Sequence, residues 1–185
     1  MKLEPSSSAV VIREARPDEM GLVRELFVEY AQSLGFDLGF QGFEEEVATL
    51  PGKYARPMGR LLLALCGEEP AGCVGLRPFD ARRCEMKRLY VRPAYRGRGI
   101  GEALLGRFLK EARGIEAAEG DLGSDIGNNP RYRSVVLDTI EPLMLRAVAM
   151  YKKAGFREIP PYRPNPLRGA VYLELALDSP SGGEN

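Results

Sequence analysis

The chain has 185 residues, and its 26 lysine and arginine residues balance 26 aspartate and glutamate residues to a formal charge of zero. This balance argues against general nucleic-acid and anionic-membrane binders, whose affinity rests on a basic excess. The sequence contains no histidine, which excludes Ser-His-Asp catalysis, imidazole proton shuttles and histidine-containing zinc sites.

Segments with strand composition recur along the chain, near residues 9–12, 61–65, 72–76, 84–91, 135–137, 156–159 and 171–177. Apolar residues at helical spacing predict helices near residues 20–34, 43–50, 99–113 and 142–155. This order predicts an α/β fold with a mixed, mostly antiparallel central sheet of about seven strands flanked by about four helices.

Residues 9–178 are predicted to form a single domain. Residues 1–8 and 179–185 are polar and have little to bury, so we expect flexible tails. The glycine-rich residues 114–133 predict a solvated loop or partial helix. Residues 160–166 contain four prolines and predict a stiff connection between strands rather than the edge of a substrate cleft.

The cysteines and the N-terminus bear on the compartment. Cys66, Cys73 and Cys84 lack C-x-x-C spacing, so we expect buried, reduced thiols and no metal site. The N-terminal residues lack the apolar stretch of a signal peptide, and no run reaches the roughly 18 apolar residues of a membrane span. The sequence therefore predicts a cytoplasmic protein without a membrane or nucleic-acid partner.

The most informative segment joins the strand that ends at Val91 to the helix that begins near Gly99. Glycines at alternate positions let a ligand approach the main chain, and the unpaired amides of the first helical turn add roughly half a positive charge. Such a junction binds diphosphate, and Arg96 and Arg98 reinforce it. The spacing matches neither a nucleotide P-loop nor a dinucleotide fingerprint, since no lysine follows and the strands predict a meander.

A basic cluster precedes this junction and consists of Arg82, Arg83, Lys87, Arg88 and Arg92. Two interpretations stay open at this point. The cluster either reaches a further phosphate or forms a solvated basic face.

The segment Arg96-Gly97-Arg98-Gly99-Ile100-Gly101 resembles the acyl-CoA loop, [RQ]-x-x-G-x-[GA], of the GNAT superfamily of N-acetyltransferases. Residues 88–93 are similar to the family's fourth strand, and residues 150–156 to its later helix and tyrosine. The resemblance extends over roughly residues 10–177. It implies acetyl-CoA as cosubstrate and a primary amine, on a small molecule or a protein, as acceptor.

The resemblance also implies roles for the matched positions. The main chain of the fourth strand would pair with the pantetheine arm, and amides from Gly97 to Glu102 would hold the diphosphate. The implied cofactor-binding residues are Leu89, Tyr90, Val91, Arg96, Gly97, Arg98, Gly99, Ile100, Gly101 and Glu102. Tyr151 matches the tyrosine that protonates the departing thiolate, although a core aromatic is the alternative. Met144 replaces an asparagine that contacts the cofactor in many relatives.

Glu85 is the candidate general base, since some members of the superfamily carry one at this point of the strand. Regular alternation places Glu85, Lys87, Leu89 and Val91 on one face of the strand. The alternative is a structural glutamate that pairs with Lys87.

Two function classes follow. The first is an enzyme in which the amine attacks the acetyl carbonyl directly; a cysteine relay is disfavoured because Cys84 points away from Glu85 in a regular strand. The second is a noncatalytic acyl-CoA-binding sensor or interaction module. A homodimer is compatible with the sequence, but no residue indicates one.

Overall fold

The computed structural model describes residues 9–115 and 132–177, apart from the side chain of Phe40. The strands are β1 (Val10–Glu14), β2 (Arg60–Cys66), β3 (Glu69–Pro78), β4 (Arg83–Val91), β5 (Ser134–Ile140), β6 (Arg157–Ile159) and β7 (Ala170–Ala176). The helices are α1 (Met20–Leu34), α2 (Phe43–Ala48), α3 (Ile100–Gly114) and α4 (Leu145–Lys153). The predicted tails and most of the glycine-rich insertion lie outside the described residues.

All seven strands form one sheet in the order β1-β2-β3-β4-β5-β7-β6. Neighbouring strands are antiparallel except for β4 and β5, which run parallel. The prediction of a mixed, mostly antiparallel sheet with four helices is therefore confirmed for the described residues. None of the helices in residues 9–115 and 132–177 is long and apolar enough to cross a membrane.

One face of the sheet is covered by α3 and α4. The buried residues of α3 include Ile100, Leu104, Phe108 and Ala112, which recur at four-residue spacing on one side of the helix. They form one core cluster with buried residues of β2 to β5 and with Tyr151 of α4. This packing fixes the first turn of α3 against the sheet.

The other face is covered by α1 and α2. Val23, Leu26 and Phe27 of α1 are buried in a second cluster, which includes Leu61 of β2 and Tyr90 of β4. The predicted end of α1 is confirmed, because its C-cap is Gly35 with a left-handed φ of 73°. The start of α4 differs from the prediction: Pro142 lies in a turn closed by a hydrogen bond from the Met144 amide to Ile140, and the helix begins at Leu145.

The strands β4 and β5 pair over a short distance. Their register comprises Arg83 with Ser134, Cys84 with Val135, and Glu85 with Val136. Both strands lie wholly within the described residues, and both continue beyond these pairs, β4 to Val91 and β5 to Ile140. The two strands therefore part in the middle of the sheet.

A β-bulge interrupts β4. Val74 of β3 faces both Arg88 and Leu89, because the register shifts there, and Arg88 has a positive φ of 58°. A bulge inserts one residue into a strand and reverses the alternation of side chains beyond it.

The alternation predicted for β4 is therefore wrong. Glu85 and Lys87 lie on the side of α1 and α2, where they contact other polar groups. Leu89 and Val91 pack against the cluster under α3, and Tyr90 takes the side of α1 instead.

Candidate active site

The junction between β4 and α3 is open to ligand. Gly97 and Gly99 have φ values of 78° and 74°, in the left-handed region that favours glycine. A Cβ built on either residue has no heavy atom of the described residues within 4 Å, its chain neighbours apart, so the described part of the chain leaves open space next to this loop. The sequence prediction of an accessible main-chain surface at this point agrees with the geometry.

The first turn of α3 presents main chain rather than side chains. Gly99 is the N-cap of α3, and Ile100 is buried in the core cluster between α3 and the sheet, so its side chain does not project from the first turn. Gly101 approaches Met150 of α4, to whose sulfur a Cβ on Gly101 would lie at 3.6 Å. Glu102 is exposed in the first turn, where a carboxylate is favourable to the helix dipole.

Two arginines flank the loop. The Nε of Arg96 donates a hydrogen bond to the main-chain oxygen of Val91 over 2.9 Å, and its guanidinium lies 5.9 Å from the ring of Tyr90. The guanidinium of Arg98 lies 5.5 Å from the ring of Tyr95. These contacts hold the guanidinium groups of Arg96 and Arg98 beside the junction between β4 and α3.

The upstream basic cluster does not act as one surface. Arg83 pairs with Asp80, Arg92 pairs with Glu25 and Glu29 of α1, and Arg88 turns under α2. The charges of these three residues are therefore matched by acids of the same chain.

A groove of about 670 Å³ begins at the junction and follows the parted edge of β4. Its walls are the end of β4, part of α1 and the start of α4, with the lining residues Tyr30, Ser33, Leu34, Leu89, Tyr90, Val91, Arg96 and Pro142 to Ala147. Leu143 and Leu145 are 60% and 65% exposed. These two leucines were missed by the sequence analysis, and their exposure indicates a surface that a partly apolar ligand covers.

Two smaller cavities continue from the groove into the gap between β4 and β5. Their volumes are about 40 Å³ and about 20 Å³. Tyr30 and Met144 line all three spaces, which therefore adjoin. Tyr151 lines the first of the small cavities together with Leu89.

Tyr151 carries a buried hydroxyl group on α4. It is 6% exposed on α4, and its ring centre lies 5.7 Å from that of Phe156. Burial raises the pKa of Tyr151 above its ordinary value of 10.0, because a buried phenolate has lost its hydration. Its hydroxyl group is therefore protonated at neutral pH.

Glu85 is enclosed by polar partners. Its side chain is 1% exposed; Arg77 lies 2.8 Å from Oε2, and Arg163 and the hydroxyl of Tyr162, at 3.1 Å, contact Oε1. Lys87 lies farther away, at 4.0 Å. Among the described residues that line the groove and the two small cavities, Glu85 is absent. Its role as general base stays a prediction.

Asp138 of β5 was missed by the sequence analysis. It lines both small cavities, accepts a hydrogen bond from Lys87 over 3.3 Å and another from Asn165 over 3.1 Å. Burial alone would raise the pKa of Asp138, but Lys87, Arg163 and the hydrogen bonds together lower it. A single acid inside an otherwise apolar strand was the available signal.

The connection between β6 and β7 also contributes to the site. Residues 160–166 were predicted to be a plain connection, but Asn165 of this segment and Leu167, which follows it, line the second small cavity. Tyr162 and Arg163 anchor the segment on Glu85. The prolines of the segment did not predict these contacts, because the partner residues belong to the distant strands β4 and β5.

The comparisons with known proteins agree with this geometry. Residues 57–158 match the family model of the acetyltransferase (GNAT) domain. An uncharacterized N-acetyltransferase of Schizosaccharomyces pombe is 37% identical over 163 residues, which cover 87% of this chain and 90% of the relative. An uncharacterized N-acetyltransferase of Dictyostelium discoideum is 29% identical and covers 86% of this chain and 95% of its own.

Solved structures show the same fold. An acetyltransferase from Streptococcus agalactiae superposes with a TM-score of 0.67 at 21% identity, covering 90% of this chain and 98% of that chain. A putative acetyltransferase from Salmonella typhimurium, solved with its cofactor acetyl-CoA, has a TM-score of 0.64 at 17% identity and covers 96% and 99%. The family model and the curated relatives define the class of protein as an acetyltransferase. The chain belongs to the GNAT acetyltransferase family.

Proposed function

We propose that this protein transfers the acetyl group of acetyl-CoA to a primary amine by direct attack. The observation that carries the proposal is the open junction at Gly97 and Gly99, which leads into a groove along the unpaired edge of β4 and ends beside Tyr151. Acetyl-CoA carries a diphosphate, which would lie at the junction, and a thioester, which would reach Tyr151 through the groove.

Different residues of the chain bind different parts of acetyl-CoA. Amides from Gly97 to Glu102 hold the diphosphate, because the first-turn amides of a helix lack intrahelical partners. The main chain from Leu89 to Val91 pairs with the amide groups of the pantetheine arm, like an added strand. Arg96 and Arg98 lie beside the phosphates and supply positive charge.

Acetyl-CoA supplies an acetyl group activated as a thioester. Tyr151 donates its hydroxyl proton to the sulfur as the carbon–sulfur bond breaks, and an amide of β4 near Leu89 stabilises the charge that develops on the carbonyl oxygen. Holding both reactants in the gap between β4 and β5 gives the direct route its advantage over reaction in solution.

Solved relatives support the cosubstrate. The Salmonella protein was solved with acetyl-CoA, and a spermidine N-acetyltransferase from Vibrio cholerae, with a TM-score of 0.62 at 16% identity, was solved with CoA and spermine. We keep as predictions a cytoplasmic location, a single domain over residues 9–178, a homodimer and the absence of nucleic-acid and membrane partners.

A pair of glycine substitutions tests the cofactor site. Gly99→Ala forces a side chain into the left-handed region, at a cost of roughly 1–2 kcal/mol, and places a methyl group where the diphosphate would lie. We expect the Kd for acetyl-CoA, measured by calorimetry, to rise at least about tenfold, which corresponds to about 1.4 kcal/mol.

Gly106→Ala is the matched control, because Gly106 lies inside α3 and a Cβ there also has no heavy atom within 4 Å. Its acetyl-CoA affinity should equal that of the wild type. No heat of binding with the wild type, or equal affinities for all three proteins, would contradict the proposal.

A further inference from the structure

Asp138 occupies a distinctive position where β4 and β5 part. The last residue of β5 that pairs with β4 is Val136, so Asp138 is two residues beyond it, on the same side of the strand. Its side chain is 2% exposed to bulk solvent, yet it lines both small cavities. The first of these cavities also contains Tyr151.

The two buried carboxylates of this region differ in their surroundings. Glu85 is saturated by Arg77, Arg163 and Tyr162 and is absent from the lining of the cavities. Asp138 has one hydrogen-bond donor on each oxygen, Lys87 and Asn165. A carboxylate oxygen accepts more than one hydrogen bond, so Asp138 retains acceptor capacity toward the cavity.

The charges around Asp138 keep its carboxylate ionised. Lys87 and Arg163 lower its pKa against the effect of burial, so the carboxylate is ionised at neutral pH. Arg88, which also lines the first cavity, is neutralised by Glu46 over 3.0 Å. Asp138 is therefore the carboxylate that an entering ammonium group meets.

We propose that Asp138 receives the ammonium group of the acceptor in this crevice and takes its proton. The inference rests on the proposed function and completes it with a base. Asp138 removes one proton from the ammonium group, and the neutral nitrogen then bonds to the acetyl carbon. The nitrogen loses a second proton to water as the carbon–sulfur bond breaks, and Tyr151 protonates the thiolate. Asp138 then releases its proton to water, and Tyr151 regains a proton from water.

The shape of the crevice restricts the acceptor. The cavity beyond Asp138 is only about 20 Å³ and is lined largely by apolar side chains, including Leu34, Phe36, Leu38 and Leu167. Cavities of this size beside a carboxylate favour the least bulky acceptor, a primary amine on an unbranched carbon chain. Branching next to the nitrogen would meet these walls.

The test compares wild-type and D138N enzymes with n-butylamine as acceptor, by release of free CoA. We expect D138N to lower kcat/KM about 100-fold or more at neutral pH, with the calorimetric affinity for acetyl-CoA retained. The deficit should shrink at alkaline pH, where n-butylamine loses its proton to water. A purely structural defect would not recover in this way.

Two lysine variants control for folding. D138N leaves the buried ammonium of Lys87 without its carboxylate. The double variant K87M/D138N removes both charges, so it should keep a native thermal midpoint. Its turnover should remain as slow as that of D138N. K87M alone keeps the base but removes a cation that lowers the pKa of Asp138. The acidic limb of its pH–rate profile should therefore move to higher pH.

Glu85→Gln is the comparison at the other buried carboxylate. Loosening of Tyr162 and Arg163 should lower its thermal midpoint and raise KM for n-butylamine, and its acidic limb should stay at the wild-type pH. Loss of that limb in E85Q rather than in D138N would assign the base to Glu85 and overturn the inference.

Three further outcomes would contradict the inference or the proposed function. A folded D138N as fast as the wild type overturns the role of Asp138. A wild type that binds acetyl-CoA but uses n-butylamine no faster than its branched isomer 2-aminobutane overturns the acceptor class. A wild type that binds no acetyl-CoA overturns the proposed function itself.

Discussion

Tyr151 combines a hydroxyl group with a buried ring, and the two can be separated by one substitution. Tyr151→Phe keeps the packing against Phe156 and removes only the proton donor. We expect kcat to fall about 100-fold while the calorimetric affinity for acetyl-CoA stays within about twofold of the wild type.

Tyr132→Phe is the matched control at a second buried tyrosine. Tyr132 donates a hydrogen bond to the main-chain oxygen of Met58 over 2.9 Å, away from the groove. Its loss should lower the free energy of unfolding by about 1 kcal/mol and leave kcat unchanged. An unchanged kcat in Y151F would remove the proton-donor role and favour a noncatalytic acyl-CoA-binding module.

The sequence analysis proposed Tyr151 and Glu85 as catalytic residues and missed Asp138. Tyr151 could be proposed because it precedes a Gly-Phe pair at a spacing shared with the family. Asp138 could not, because its position depends on where β4 and β5 stop pairing, and pairing between residues about fifty positions apart leaves no local pattern. Glu85 was proposed because some members of the superfamily carry a base at this point of the strand, and no sequence pattern indicated its contact with Arg163.

At the scale of elements, the bulge in β4 determines which of its side chains face α1 and α2 and which face α3 and α4. Arg88 adopts its positive φ while both oxygens of Glu46 accept hydrogen bonds from its guanidinium over 3.0 Å. The rings of Tyr30 and Phe43 lie 5.8 and 5.0 Å from that guanidinium. These contacts join β4 to α1 and α2 at the bulge.

Arg88→Met should therefore be strongly destabilising. It leaves the carboxylate of Glu46 buried with less charge compensation, and removal of one partner of a buried ion pair costs about 3–5 kcal/mol. Urea unfolding should show this loss for R88M. The double variant E46L/R88M should lose less than the sum of the two single variants, since no uncompensated carboxylate remains; strictly additive losses would contradict the coupling.

The elements themselves were largely predictable, and the irregularities were not. Alternating and helical patterns predicted all seven strands and four helices because one face of each packs on the core. The bulge carries arginine rather than glycine at its left-handed position, so composition did not mark it. The turn at Pro142 could not be separated from the start of α4, since proline is favoured at both.

At the scale of the whole molecule, the sheet consists of two halves. The strands β1 to β4 form an antiparallel meander, and β5 to β7 form a second antiparallel group. Three residue pairs between β4 and β5 join the halves, and α3 and α4 share the core cluster on one face. The groove lies across this division, with β4 on one wall and the start of α4 on the other.

A ligand in the groove should therefore tie the two halves together. At a hundredfold excess over Kd, acetyl-CoA adds about 2.7 kcal/mol to the stability of the folded state. We expect hydrogen exchange to slow most in residues 88–102 and 142–151, on opposite walls, and least in β1 at the far edge of the sheet. Gly99→Ala at the same acetyl-CoA concentration should show less slowing on both walls at once. Slowing confined to residues 88–102 would mean that the ligand binds the loop without bridging the gap, since a bound pantetheine arm must contact both halves to reach Tyr151.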